Sequence, residues 1–442
     1  MISQSTRSVD ELVPLMTKWR RDLHKHAEPG WLEFRTASIV ADQLEVLGYE
    51  LRVGKEVIDS ETRMGVPAEE VLILHEERAL AEGANRKWVE RFSGGYTGVV
   101  GIIHTANPGP TVAIRFDMDA LHIKESADMD HVPVLENFMS VHEGEMHACG
   151  HDAHTSIGLA LAHYIAGHRD ELAGTYKLIF QPAEEGVRGA KSMVQAGVVD
   201  DVDIFLTSHV GINVDLGTVV SGIDNFLATT KFNVVFKGKA SHAGGSPEEG
   251  KNALLAASSA VLNLHSIPRS GKGQSQINVG KLSSGYDRNI IPAFAEMQVE
   301  TRGETTEINS YMVAKAMNII KGAAQMYGIE YEVDIVGEAN TSASSLPLKS
   351  YIRSALEQLP AVKKVLDSAP FPIGSEDATY MMNRVIENGG LSAYMIFGTE
   401  LAAGHHHEKF DIDEKVLEIA FASYVEIIGG IKSLTANTTN NE

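Results

Sequence analysis

TYKLIFQPAEEG, residues 175–186, is a short apolar run that stops at a Gln-Pro-Ala break and hands over at once to two carboxylates. A run of this length, ended by a turn signal, reads as a strand buried on both faces. The same pattern recurs on either side. TVAIRFDMDA (111–120) ends on Asp117 and Asp119, DVDIFLTSHVG (201–211) ends on His209, and YMIFG (394–398) leads to AAG and His405, His406 and His407. Helical periodicity near 153–168 falls between the first two of these runs in chain order. Strands separated by helices predict an α/β chain. In an open α/β sheet the carboxyl ends of the strands face the ligand crevice, so polar residues at those ends converge from distant segments.

Further out, apolar residues at helical spacing predict helices over 8–28 and 33–47, parted by Pro29-Gly30. Residues 56–93 are charge-rich and read as an inserted helical excursion. TGVVGIIHT (97–105) is a strand, joined to the next by a turn at ANPGP (106–110). From about 223 the character changes to strand, helix, strand, strand, helix, strand, the order of a ferredoxin-like split unit. The expected organisation is therefore a mixed-sheet α/β domain, with helices on both faces, built from 1–222 and 335–442. An α+β domain at 223–334 is inserted into it. EKVLEIAFASYVEIIGGI closes the chain as a helix, and no repeat of 20–50 residues is present.

Composition agrees with two domains: 442 residues, 43% apolar, exceed what one core usually holds. A net charge of −21 opposes nucleic acid and anionic membrane, whose binding relies on neutralising phosphate. No uncharged stretch of 18 apolar residues predicts a membrane span. The single cysteine, Cys149, excludes an intrachain disulfide and, with an opening segment lacking the order of a secretory signal, points to the cytoplasm. The polar tail LTANTTNNE is expected to fray.

MHACGHDAHT (146–155) is the densest chemical signal. Cys149 and His151 lie two apart in a glycine turn before a helix, and thiolate plus imidazole suits a divalent ion, although two ligands do not close a site. Glu184-Glu185 offers a division of labour in which one carboxylate ligates metal and the other activates water. The plain alternative is a pair of acids at a helix N-terminus. Ser375 and Asp377 in GSEDATYM (374–381) fit helix capping as well as chemistry. No G-x-G-x-x-G follows the early strands, so a dinucleotide enzyme is not indicated.

Taken as a set, DMDAL (117–121), MHACGHDAHT, FQPAEEG (180–186), SHVG (208–211), GKASHAG (238–244), RNIIP (288–292), GSEDATYM and HHHEKFDID (405–413) resemble the M20 metallopeptidase and amidohydrolase family, in its aminoacylase and hippurate hydrolase branch. The resemblance spans nearly the whole chain. It implies two divalent ions per subunit (Mn or Zn, with Co also possible) on Cys149, His151, Glu185, His209 and His406, with His405 and His407 as alternatives to His406. It implies Glu184 as general base, Asp119 as the support of a ligand histidine, His242 as an oxyanion donor to a partner's site, and Asn289 and Arg302 as contacts to a substrate carboxylate. Asp117 stands where other branches carry a metal-binding His.

The implied reaction is hydrolysis of a small-molecule N-acyl amino acid, with p-aminobenzoyl-glutamate preferred. Glu184 would take a proton from water and return it to the departing amine. A dipeptidase or carboxypeptidase of the same chemistry is the near rival, and a non-catalytic metal-containing binding protein the distant one. Cys149 as a covalent nucleophile competes with its metal role. The implied assembly is a homodimer through the inserted domain, which would also serve as a lid, or a heteromer with a related subunit.

Overall fold

The computed structural model describes residues 9–369, 374–432 and 434. Residues 1–8 of the opening segment and 435–442 of the polar tail lie outside these. The fold is the expected mixed α/β, with twelve strands in two sheets among the described residues. In chain order they are β1 (Glu50–Val53), β2 (Val99–His104), β3 (Asn107–Asp117), β4 (Ala173–Gln181), β5 (Ile204–Val210), β6 (Thr218–Val220), β7 (Ala228–Lys237), β8 (Ser275–Ser284), β9 (Phe294–Gly303), β10 (Glu330–Ala339), β11 (Lys364–Leu366) and β12 (Leu391–Phe397).

The larger sheet runs β1-β2-β4-β3-β5-β12-β6-β11. Its centre, β4-β3-β5-β12, is parallel throughout. These strands are buried along nearly their whole length, which is why they read as continuous apolar runs rather than alternating ones. Leu12, Met16, Leu44, Ile157, Leu161, Phe421 and Ile427 form the core on one face, while Met193, Met381, Met382 and Val385 pack against the other. The carboxyl ends of the four central strands, at Gln181, Asp117, Val210 and Phe397, share one edge.

ANPGP is not the predicted turn. β3 already begins at Asn107, and only Thr105 and Ala106 lie between it and β2. The prolines are tolerated because the register shifts between Asn107 and Thr111 and β5 pairs only from Val112 onward, leaving that end of the strand open.

Between β6 and β11 the chain builds the second sheet, β10-β7-β9-β8, antiparallel throughout. Two helices cover one of its faces, Ala253–His265 capped by Asn252 and Thr306–Tyr327 capped by Thr305 and stopped by Gly328 at φ 61°. Phe232, Val234, Phe236, Met297 and Val299 point into that layer. Strand alternation sends Lys231, Asn233, Glu300 and Arg302 to the opposite face. The last strand of this sheet runs to Ala339. No described helix is long and apolar enough to cross a membrane.

The chain's first helix, Val9–Lys25, is tied to both sides of the crevice by one residue. Arg20, 1% exposed, donates from Nε to Asp152 (3.0 Å), from Nη1 to Glu414 (3.0 Å) and from Nη2 to Asp411. Asp152 follows His151, and Asp411 closes the loop that carries His406. Arg20→Met would leave two buried carboxylates without their cation, so unfolding by denaturant should report a loss of about 3–5 kcal/mol.

Candidate metal centre

Backbone geometry presents each candidate side chain. Gly150 adopts φ 88°, and a Cβ there would sit 2.7 Å from Val210 Cγ2, so only glycine lets the chain turn between Cys149 and the helix that starts at His151. Glu184 and Glu185 sit in a tight turn where Ala183, Gly186 and Val187 all have positive φ (52°, 84° and 61°). Two buried carboxylates hold that strained turn. Glu33 accepts from the Ala183 N–H (2.8 Å), while Asp119 accepts from those of Glu184 (3.0 Å) and Glu185 (2.9 Å). Burial and then Asp119 push Glu33 up to about 8. The helix-cap reading of the glutamate pair is thereby overturned, because the next helix begins only at Ala190.

Cys149, Glu184, Glu185, His209, His405 and His406 line one cavity of about 340 Å³ together with Lys231, Arg302 and Glu376. Within it, the ligand atoms of Cys149, His151 and His209 lie within 4.8 Å of one another, and so do those of Cys149, Glu185 and His406. The thiol therefore belongs to two adjacent triads. His209 Nδ1 donates to the Val210 carbonyl (2.7 Å), which fixes the tautomer and leaves Nε2 as a lone pair 3.4 Å from Cys149 Sγ. His151 lies 3.4 Å from Asp119 through Nδ1 and 3.8 Å from Glu184 through Nε2. Both its ring nitrogens, and Glu185 Oε1, are buried without a hydrogen-bond partner. Orphaned buried donors and acceptors of this kind are the signature of metal ligands. The residues fit divalent metal.

The three histidines separate cleanly. His405 donates from Nε2 to the Val210 carbonyl (3.3 Å), and burial lowers it to about 4. His407 is turned outward, accepting from the Lys409 N–H (3.0 Å). His406, at φ 64°, reaches 3.3 Å from Glu185 Oε1. His406→Ala should therefore weaken metal affinity by more than the ~10–100-fold typical of losing a supporting contact. His407→Ala, a surface change, should stay within about 0.5 kcal/mol in stability and leave metal content intact by elemental analysis.

Burial, then Glu376 and Glu185, push the Glu184 carboxyl well above its usual range. Burial, then Glu185 and Glu184, likewise hold the Cys149 thiol high, opposite to what a thiolate nucleophile needs.

Arg302 lines the cavity, its Nε and Nη2 engaged by Glu300 (3.0 and 3.1 Å). His242 and Asn289 do not line it; both lie away from the cavity and adjacent to one another, with the Ala243 N–H donating to the Asn289 carbonyl (2.9 Å).

Several contributors had no legible sequence signal. Arg115, buried beneath the site, binds Gln181, Asp117 and Glu376. His154 donates from Nδ1 to Asp117 (2.5 Å) and accepts the Val210 N–H (3.0 Å), so both its nitrogens are committed. Asp377 caps a helix, but not its own: it accepts from the Gly189 and Ala190 N–H groups at the start of Ala190–Gln195. Ser375 Oγ makes no hydrogen bond.

Clustered thiol, imidazole and carboxylate ligands at the carboxyl edge of a parallel sheet, with a carboxyl group beside them, define a metallohydrolase type of centre. Residues 113–429 match the model of peptidase family M20/M25/M40, and the chain belongs to that family as an amidohydrolase. It is 52% identical over 412 residues (93% of this chain, 94% of the relative) to indole-3-acetyl-aspartic acid hydrolase of Enterobacter agglomerans. It is 50% identical, over the same shares, to one of the subunits of p-aminobenzoyl-glutamate hydrolase from Escherichia coli. The crystal structure of the aminobenzoyl-glutamate utilization protein from Klebsiella pneumoniae superposes with a TM-score of 0.83 at 48% identity, covering 95% of this chain and 97% of that one.

Proposed function

We propose that the chain hydrolyses the amide bond between an aromatic acyl group and an acidic amino acid, with p-aminobenzoyl-glutamate as the preferred substrate. One observation carries this reading: Glu184 stands beside two metal-ligating triads that share Cys149, in a cavity that also holds Arg302. The relatives named for indole-3-acetyl-aspartate and p-aminobenzoyl-glutamate support a substrate of that chemical class.

Cys149, His151, His209, Glu185 and His406 would hold two divalent ions, Mn or Zn first, with Co as a third candidate. When bound, such ions supply Lewis acidity to the attacked carbonyl and the attacking water. Glu184, its carboxyl held high by burial and then by Glu376 and Glu185, takes the water's proton and returns it to the departing amine. Asp119 holds the Glu184-Glu185 turn and faces His151, and Arg302 has donors left for a substrate carboxylate.

The segment 228–339 acts in this reading as lid and dimerisation domain. β8 is a free edge of its sheet, Leu254, Leu255 and Leu262 are exposed on its first helix, and His242 and Asn289, away from this chain's own cavity, are available to a partner's. A related second subunit is the alternative partner. The setting is the cytoplasm.

The test is a turnover screen of purified protein reconstituted with Mn, Zn or Co. It sets p-aminobenzoyl-glutamate and indole-3-acetyl-aspartate against N-acetyl and N-benzoyl amino acids and dipeptides. The highest kcat/KM is expected on the aromatic conjugates of acidic amino acids; a dipeptide in first place would overturn the assignment.

A further inference from the structure

An acidic leaving group carries two carboxylates, and a single arginine cannot account for both. We infer that Lys231 reads the second, side-chain carboxylate of the substrate's amino acid. The inference rests on the amidohydrolase reading above and extends it to specificity.

Four observations support it. Lys231 lines the same cavity as Cys149, Glu184 and His406. It lies on the open face of the four-stranded sheet, directly opposite Glu300 and two positions along from Arg302, whose partner is Thr229. Glu300 grips Arg302 through both oxygens, which orients the guanidinium and leaves Nη1 unengaged by that pair. The Lys231 ammonium makes no hydrogen bond or ion pair among the described residues.

Its surroundings suit a carboxylate. Lys231 also lines an adjoining hollow of about 340 Å³ with Asn233, Asn278 and Gln298. Asn233 and Gln298 form the next cross-strand pair on the same face. Glu300 lines this hollow too, with both oxygens engaged by Arg302, and the carboxamides beside it can donate further hydrogen bonds to a bound carboxylate. Arg302 and Lys231 sit diagonally across two paired strands, a separation on the order of 5–8 Å between side-chain bases. From there the two long side chains can converge on the two carboxylates of one dicarboxylic amino acid. A neutral amino acid would leave the Lys231 charge unanswered.

The experiment measures kcat/KM for p-aminobenzoyl-glutamate and p-aminobenzoyl-glutamine with the wild-type protein, Lys231→Met and Lys231→Arg. It also measures calorimetric binding of L-glutamate and L-glutamine to the same three proteins. Lys231→Met is expected to lower the glutamate-to-glutamine ratio of kcat/KM by about 10–100-fold, mainly through KM, with Lys231→Arg keeping most of the preference. The binding ratio should collapse in parallel. Each ratio is internal to one protein, so a general loss of folded material cancels. A glutamate preference that survives in Lys231→Met in either measurement overturns the assignment. If the wild-type protein hydrolyses neither conjugate, the amidohydrolase reading fails, and the binding ratios still decide the role of Lys231.

Discussion

Glu184→Gln is expected to lower turnover by about 10²–10⁴-fold while leaving metal content and thermal stability close to those of the wild type. The side chain is 9% exposed, lies 3.8 Å from His151 Nε2, and belongs to neither triad that shares Cys149. Its amide counterpart keeps the volume and loses only the capacity to take a proton. Burial, then Glu376 and Glu185, already disfavour a charge at this position, so a neutral amide there should not unfold the protein. Steady-state kinetics with elemental analysis on the same sample makes the check. Undiminished turnover at full metal occupancy would remove Glu184 from the mechanism and favour a protein that binds metal without using it for hydrolysis.

Stripping metal should have the other large effect. Rigorous chelation is expected to bring hydrolysis to background and to be reversed by Mn, Zn or Co. Stability should fall with it, because ligands that bind only the folded state contribute RT ln(1 + [L]/Kd), about 2.7 kcal/mol at a hundredfold excess over Kd. Glu184 and Glu185 line the cavity beside His151 nitrogens that have no hydrogen bond, a donor set that suits a divalent cation. A fully active, metal-free preparation would sink the centre as described.

The parallel centre of the fold was legible because each of its strands is buried on both faces and is followed by a turn. Asp119, Glu184, Glu185 and His209 were legible for the same reason, standing where those runs stop. The prolines of ANPGP misled, since whether a proline breaks a strand depends on which neighbour is paired beside it, a matter of register that the linear chain does not reveal. Choosing among three histidines required backbone conformation, which turns His406 inward at φ 64° and His407 out. Arg115, His154 and Lys231 escaped notice because each acquires its role only from partners far away in sequence. Asp377 was left open between capping and chemistry, and it caps a helix distant in sequence, at Gly189 and Ala190.

The Arg20 cluster has a bearing on when the centre can exist. Its guanidinium waits for Asp411 and Glu414, 391 and 394 residues later in the chain. At about 5–20 residues per second, synthesis leaves the first helix without those anions for on the order of 20–80 s. His406 emerges in the same late segment, so the triad of Cys149, Glu185 and His406 is complete only once that segment has been made. Of the two triads that share Cys149, a product stopped short of it would carry that of Cys149, His151 and His209 alone.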